Sequence, residues 1–346
     1  MRVANLVLCL PFLLGALWAA EGNPAWTQES RELYYGIPVQ VNFSPADPAL
    51  AAKVWTALEA IDPVYNDFKP GSEISRINAG GPGTYPLSGD LAEAFALAGK
   101  ARELSGGTCE ITVGPLRRLW RGAEKNQKAP EPQAIAAALK KIGPATYRLT
   151  GNTLEKLVDG VQFDFGGVVK GMAVDRAIAI LRQAKVTSAL VQCGGETGCF
   201  GQSPHVRPFR LGIPHPDDPD GDSWCRLACP ESGFSGSTSG NYRQPVVIGG
   251  TTYYHIYDPR TGLPTDTHVL SASVAFPGVT GKNGLADAMT KCIAIRGPAG
   301  IPAIEALGAE ALVLVRQADG TIAAHRSAGW DRLLLPSDPP EPQRKP

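Results

Sequence analysis

The residues best suited to chemistry in this chain lie in Asp164-Phe165-Gly166-Gly167-Val168-Val169-Lys170-Gly171, where a carboxylate and a glycine pair stand just ahead of a lysine. Val161 to Phe163 has the character of a short strand. Val169, Met172, Val174, Ile178 and Leu181 recur at helical spacing and predict a helix ending near Ala184. Gly166 and Gly167 would open that helix, letting backbone approach a ligand, while the positive end of the helix favours an anion. Such a junction suits a phosphate and its metal. Asp287, Thr290 and Lys291 form a second group, sharing one face of a helix predicted over Asn283 to Ile295. A surface Asp287–Lys291 pair there would be worth only about 0.3–0.5 kcal/mol, so its interest lies in chemistry. His255 is the third feature, because an imidazole titrates near neutrality and can accept a proton in a reaction.

Other elements must hold these groups. Leu33 to Phe43 predicts a strand, and Asp47 with Pro48 starts a helix striped by Leu50, Val54, Leu58 and Ile61. A further helix, marked by Leu91, Ala94, Phe95, Ala98, Ala101 and Leu104, stops at Gly106-Gly107. Residues 121–132 have the composition of a surface loop, and Ala134 to Lys141 that of a helix. Tyr147 to Leu149 and Thr153 to Leu157 flank Gly151-Asn152 as a hairpin does, and Ala311 to Val315 and Thr321 to Ala324 do so across Asp319-Gly320. Ala189 to Gln192 is a strand leading into Gly194-Gly195. Residues 202–224, rich in Pro, Asp and Gly, predict a solvated loop whose acidic run lacks the ligand spacing of a calcium loop. Strands mixed with helices and several hairpins define an α+β fold with mixed or antiparallel sheets and packed helices, rather than an open parallel sheet.

The 346 residues are 43% hydrophobic, ample for a buried core. With 33 basic and 33 acidic residues and no basic block, nucleic acid is not an expected partner. Arg2, an apolar run from Leu6 through Trp18, and Ala19-Ala20 form a secretory signal over residues 1–20, too short for a membrane span of roughly 20 apolar residues. The mature chain is then expected to be soluble and exported, with a domain over 21–335 and a proline-rich, disordered tail over 336–346. Beyond Cys9 in the leader, Cys109, Cys193, Cys199, Cys225, Cys229 and Cys292 lack the paired spacing of zinc sites. Disulfides or buried thiols are expected instead, with Cys193 and Cys199 placed to staple the turn after Gly194-Gly195.

Five further stretches accompany the Asp164 segment in order: Phe68-Lys69-Pro70-Gly71-Ser72-Glu73-Ile74-Ser75-Arg76-Ile77-Asn78; Glu110-Ile111-Thr112-Val113-Gly114-Pro115-Leu116 with Leu119-Trp120; Ser237-Thr238-Ser239-Gly240-Asn241-Tyr242; His255-Ile256-Tyr257-Asp258-Pro259-Arg260-Thr261-Gly262; and Leu285-Ala286-Asp287-Ala288-Met289. Together they resemble the ApbE family of flavin transferases across nearly the whole chain between leader and tail. The resemblance implies a T-fold-like, two-lobed single domain. It also implies an enzyme that splits FAD and esterifies the FMN phosphate to a threonine or serine of an exported or membrane-bound redox protein, with AMP leaving. Membrane contact would come only through such acceptors.

Carried over residue by residue, the resemblance gives His255 the catalytic role and places FAD against Phe68, Thr108, Cys109, Glu110, Asp164, Lys170, Thr238 and Lys291. Mg²⁺ would sit on Gly167, Asp287 and Thr290. The chain also departs from the family. Lys291 stands where the family has a metal-binding threonine, and such a lysine would instead neutralise the pyrophosphate. Phe68 replaces tyrosine, Glu110 replaces aspartate, and Tyr35-Gly36-Ile37 keeps only the glycine of Met-Gly-Thr. Two alternatives follow from the departures: a periplasmic FAD-binding protein without transfer, and an FAD pyrophosphatase using water. A nicotinamide oxidoreductase is disfavoured, since no Gly-x-Gly-x-x-Gly follows a strand.

Overall fold

The computed structural model describes residues 25–335 except 35, 205–206, 242–244 and 267, so the leader, the tail, Tyr35 and Tyr242 lie outside the described residues. The chain opens with β1 (Thr27–Leu33) and β2 (Ile37–Ser44), then α1 (Pro48–Glu59), α2 (Asp62–Tyr65) and α3 (Glu73–Ala79). After β3 (Gly83–Pro86) come α4 (Gly89–Leu104), α5 (Gly114–Asn126), α6 (Pro132–Leu139), β4 (Tyr147–Thr150) and β5 (Thr153–Lys156). Helix α7 (Val169–Gln183) leads into β6 (Ser188–Cys193), β7 (Glu196–Phe200), β8 (Phe209–His215), β9 (Asp218–Cys229) and β10 (Phe234–Gly240). The hairpin β11 (Pro245–Ile248) and β12 (Thr251–Tyr254) precedes β13 (Val269–Pro277), α8 (Asn283–Arg296), α9 (Ile301–Glu305), β14 (Glu310–Arg316) and β15 (Ile322–Arg326).

Eight strands form the main sheet in the order β1-β2-β6-β7-β10-β13-β14-β15, every neighbouring pair antiparallel. Strand β13 has no polar face to show water, and it is buried along all but its last residue. Both sides of the sheet centre are therefore covered. Ala272, Val274 and Phe276 of β13 join Ala311 and Val313 of β14 in the larger core, beneath α1, α4, α7 and α8. Ala275, Leu312 and Leu314 point the other way, into a second core closed by Phe209, Ile213, Trp224 and Leu227 of the β8–β9 hairpin.

Helices α7 and α8 meet closely because glycines line the contact. A Cβ on Gly171 would lie 2.2 Å from the Asn283 carbonyl oxygen, and one on Gly284 would lie 3.0 Å from Met172 Cγ. Asp175 of α7 locks the junction by accepting from the Asn283 N–H (2.9 Å), the Asn283 side chain (2.8 Å) and the Gly284 N–H (2.9 Å). It thus caps α8 from a neighbouring helix, satisfying donors that a helix start leaves open.

The helices predicted from Asp47 and Pro48, over Leu91 to Leu104, over Ala134 to Lys141, up to Ala184 and over Asn283 to Ile295 are present as α1, α4, α6, α7 and α8, and so are both predicted hairpins. Several expectations are corrected. Leu33 to Phe43 is divided by a turn in which Gly36 takes φ +84°, giving two strands. Val161 to Phe163 is extended but not in a sheet, since the Asn78 side chain replaces a neighbouring strand, accepting from the Phe163 N–H (2.7 Å) and donating to its carbonyl (2.8 Å). Residues 121–126 continue α5, whose exposed face carries the charges. Residues 209–229 are the β8–β9 hairpin, held by sparse apolar residues that cover the sheet. All six described cysteines are free thiols, and Cys193 faces Glu196 across the hairpin while Cys199 faces Leu190, so they do not staple the turn.

Gly171→Ala should force α7 and α8 apart and cost about 1–3 kcal/mol, the usual range for overpacking. Urea unfolding of the variant would measure it, and an unchanged midpoint would show that the helix contact is not tight.

Candidate active site

The first turn of α7, the first half of α8, and strands β7 and β10 converge on one buried carboxylate. Asp287 has no exposed surface, yet it carries charge because two ammonium groups flank it. Lys291, one turn on in α8, donates to its Oδ1 at 2.5 Å, and Lys170 donates to its Oδ2 at 3.2 Å. Burial alone would raise the Asp287 pKa, but the two lysines outweigh it and hold the group below the usual carboxylate range. Burial likewise pulls Lys170 down, and Asp287 and Glu196 more than reverse that. Lys170 also donates to the Gly166 carbonyl at 3.0 Å and lies 3.5 Å from Glu196 Oε1, so it ties the glycine turn to the site.

Gly167, Asp287 and Thr290, the residues expected to hold Mg²⁺, do come together, and a lysine head group fills the space among them. Lys291 Nζ is 3.0 Å from the Asp287 carbonyl oxygen, 3.2 Å from Thr290 Oγ1 and 3.4 Å from Ser239 Oγ. Its stem runs beside Gly167, where a Cβ would meet Lys291 Cε at 3.1 Å. The Thr290 hydroxyl is engaged with the Asp287 carbonyl and with Ser239, each at 2.7 Å. Thr238 and Ser239 belong to β10 rather than to a loop, and Thr238 Oγ1 bonds Ser273 Oγ across the sheet at 2.9 Å.

These groups border a cleft of about 1350 Å³, larger than the roughly 300–1,000 Å³ of ordinary small-molecule pockets. It is also lined by Phe68, Thr108, Cys109, Glu110, Asp164, Gly167, Lys170, Thr238, His255 and Lys291, whereas Asp287 and Thr290 lie behind its wall. Phe68 is exposed, with the guanidinium groups of Arg117 and Arg121 4.7 and 4.6 Å from its ring centre. Asp164 accepts from the Gly166 N–H at 2.8 Å and pairs with Arg117 at 3.0 Å, which also meets Asp67. The Glu110 carboxylate is spent within the protein, on Arg102 (2.7 Å) and on the N–H and hydroxyl of Thr112 (2.9 and 2.7 Å). Thr108 donates its hydroxyl to the Ser105 carbonyl, and the Cys109 thiol, pushed up to about 12 by burial, donates to the Ala288 carbonyl. The carboxylate, hydroxyl and thiol thus shape the wall rather than reach outward.

His255 is half-buried and follows β12 directly. The turn after it is fixed by Asp258, which accepts from the Arg260 N–H at 2.9 Å. Gly262 closes that turn at φ +75°, and its carbonyl accepts from Trp120 Nε1 of α5 at 2.9 Å.

Glu196 was missed from the sequence. It follows Gly194-Gly195 at the start of β7 and bonds Ser237 at 3.2 Å. A carboxylate beside a glycine pair at a strand end is the same signal that marks Asp164. Gly195 is required there, since a Cβ would lie 2.4 Å from the Thr238 carbonyl oxygen. Burial, then the Asp287 charge, push Glu196 up to about 7 from 4.5. Arg117 and Arg121, on the polar face of α5, were missed as well.

An antiparallel α+β architecture with two ammonium groups held at the wall of a large cleft defines a protein suited to an anionic ligand. The chain belongs to the ApbE family, whose model matches residues 35–313. It is 31% identical over 263 residues to the FAD:protein FMN transferase of Chlamydia pneumoniae, covering 72% of this chain and 78% of that protein. With the enzyme of the same name from Haemophilus influenzae it shares 28% identity over 236 residues, 66% of this chain and 68% of the other. The fold is that of the flavin transferase ApbE from Vibrio cholerae (TM-score 0.77, 24% identity, 89% of this chain and 99% of that one). It also matches the apo flavinyl transferase ApbE of Pseudomonas stutzeri (TM-score 0.75, 27% identity, 89% and 97%).

Between the ordinary and raised Glu196 values the folded chain keeps a proton that the unfolded chain has lost. Stability should therefore fall as pH rises from about 4.5 through about 7. Glu196→Gln, neutral throughout, should remove this fall, so that its melting temperature gains on the wild type between about pH 5 and about pH 8. Thermal melts over that range decide it, and parallel curves would show that Glu196 is not a buried, raised carboxylate.

Proposed function

We propose that this chain is an exported FAD:protein FMN transferase, its residues 21–335 forming one catalytic unit. The observation that carries the proposal is the pair of ammonium groups, Lys170 and Lys291, set on buried Asp287 at the wall of a cleft with His255 on its lining. A pyrophosphate laid on that wall would place its charge against both lysines, while Arg117 and Arg121 beside Phe68 offer cations and an aromatic face to another part of the dinucleotide.

The reaction is a phosphoryl transfer that works by positioning and charge neutralisation. The hydroxyl oxygen of an acceptor threonine or serine attacks the FMN phosphorus. The bond from that phosphorus to the bridging pyrophosphate oxygen breaks, and its electron pair leaves with AMP. His255 accepts the hydroxyl proton, while Lys170 and Lys291 balance the charge that grows on the leaving phosphate. Mg²⁺, also implied by the family resemblance, fits these residues poorly. It needs oxygen ligands at about 2.0–2.1 Å in an octahedron, and the Asp287 and Thr290 oxygens here are already held by Lys291, Lys170 and Ser239. No step is therefore routed through a metal.

Purified mature chain, FAD and an acceptor domain from a covalently flavinylated redox protein should yield an acceptor heavier by FMN, together with AMP, by mass spectrometry. His255→Ala should lower the rate by about 10²–10⁴-fold while FAD binding persists. FAD binding with neither adduct nor AMP would make the chain a flavin-binding protein, and AMP without acceptor would make it a pyrophosphatase. Loss of FAD binding in the variant would make His255 structural.

A further inference from the structure

We infer that Lys291 is a built-in replacement for a divalent cation, so that this chain handles the pyrophosphate without metal. Only the activity readout below rests on the transferase reading. The inference itself stands on the geometry around Asp287.

Lys291 Nζ stands where a cation would stand among Asp287 Oδ1, the Asp287 carbonyl, Thr290 Oγ1 and Ser239 Oγ, at 2.5, 3.0, 3.2 and 3.4 Å. An ion bound to Asp287 Oδ1 at metal distance would overlap that ammonium. Moving to Oδ2 does not help, because Lys170 holds that oxygen at 3.2 Å. Charge argues the same way. Two ammonium groups already surround one fully buried carboxylate, and a doubly charged ion between them would meet repulsion from both in a site that water screens poorly. Glu196, the other carboxylate in reach, is engaged by Lys170 at 3.5 Å and by Ser237. Among the described residues, no three His, Cys, Asp or Glu side chains are grouped to hold an ion.

The arrangement also explains how the lysine would work. Asp287 and its own helix turn fix the ammonium, and the glycine at 167 leaves room for the stem. The contacts to Thr290 and Ser239 are the long ones, and these are what an entering phosphate oxygen would displace. About a fifth of the Lys291 side chain and a quarter of Lys170 remain exposed toward the cleft. Both are thus held as fixed charges at its wall, preorganised and with no ion to lose.

The test uses the full mature chain, freed of metal by chelator. With FAD and the acceptor domain, the wild type should transfer FMN at the same rate, within about twofold, in chelator and in Mg²⁺. Independently, Mn²⁺ titrated into the FAD-loaded protein and followed by electron paramagnetic resonance should show no tight site beyond that of FAD alone. Lys291→Thr, which reopens the space among Gly167, Asp287 and Ser239, should lose at least tenfold in chelator, recover in Mg²⁺, and gain one Mn²⁺ per chain. Lys291→Met should lose activity without recovery. A wild type that binds one Mn²⁺ tightly and needs Mg²⁺ for transfer would overturn the inference. If no transfer occurs under any condition, the transferase reading falls, and the Mn²⁺ titration still decides the role of Lys291. Should Lys291→Thr fail to fold, the wild-type titration decides alone.

Discussion

A carboxylate with no exposed surface cannot remain charged without compensation, and here the compensation comes from two lysines on different helices. Removing either would leave a buried charge with half its partners, so the three side chains form one unit. Their joint effect is to plant positive charge at a cleft wall with little conformational freedom. Such a wall suits an anionic group, and its charge is fixed by desolvation and pairing rather than by exposed basic residues.

The rest of the architecture makes that unit possible. The sheet centre is buried on both faces, which fixes β7 and β10 side by side and presents Glu196, Ser237 and Ser239 on neighbouring positions. Two glycines and the cap supplied by Asp175 then bring α7 and α8 into contact at their beginnings. Because Lys170 lies in the first turn of one helix and Asp287 in the second turn of the other, the close approach places them within reach. A wider helix spacing would leave each lysine serving its own helix.

Much of this was legible in the sequence where a local pattern exists. The periodic apolar residues of α7 and α8, the Asp47 cap and the Gly151-Asn152 turn all specify their elements through near neighbours. Asp287, Lys291 and Lys170 stand out for the same reason, as charges at helical spacing beside glycines. What escaped depends on partners distant in the chain. Residues 209–229 look like a loop by composition, and they are strands because Phe209, Ile213 and Trp224 find cover on the back of the sheet. Glu196 owes its raised pKa to burial and then to Asp287, ninety-odd residues away in the chain, relations no spacing encodes. The Glu110 carboxylate and the Cys109 thiol looked outward in sequence because neither Arg102 nor the Ala288 carbonyl is identifiable there as a partner.

The turn after His255 rests on a smaller core, in which Trp120 and Leu116 of α5 pack with Ala138, Ile248 and Tyr257, while Ile256 beside it packs into the main one. Lys170 and Lys291 rest on the main sheet and its helices instead. His255 thus stands where the two cores meet, whereas the lysines rest on one, and all three border the same cleft. Local opening of the smaller core would loosen the turn after His255 while leaving the two lysines in place.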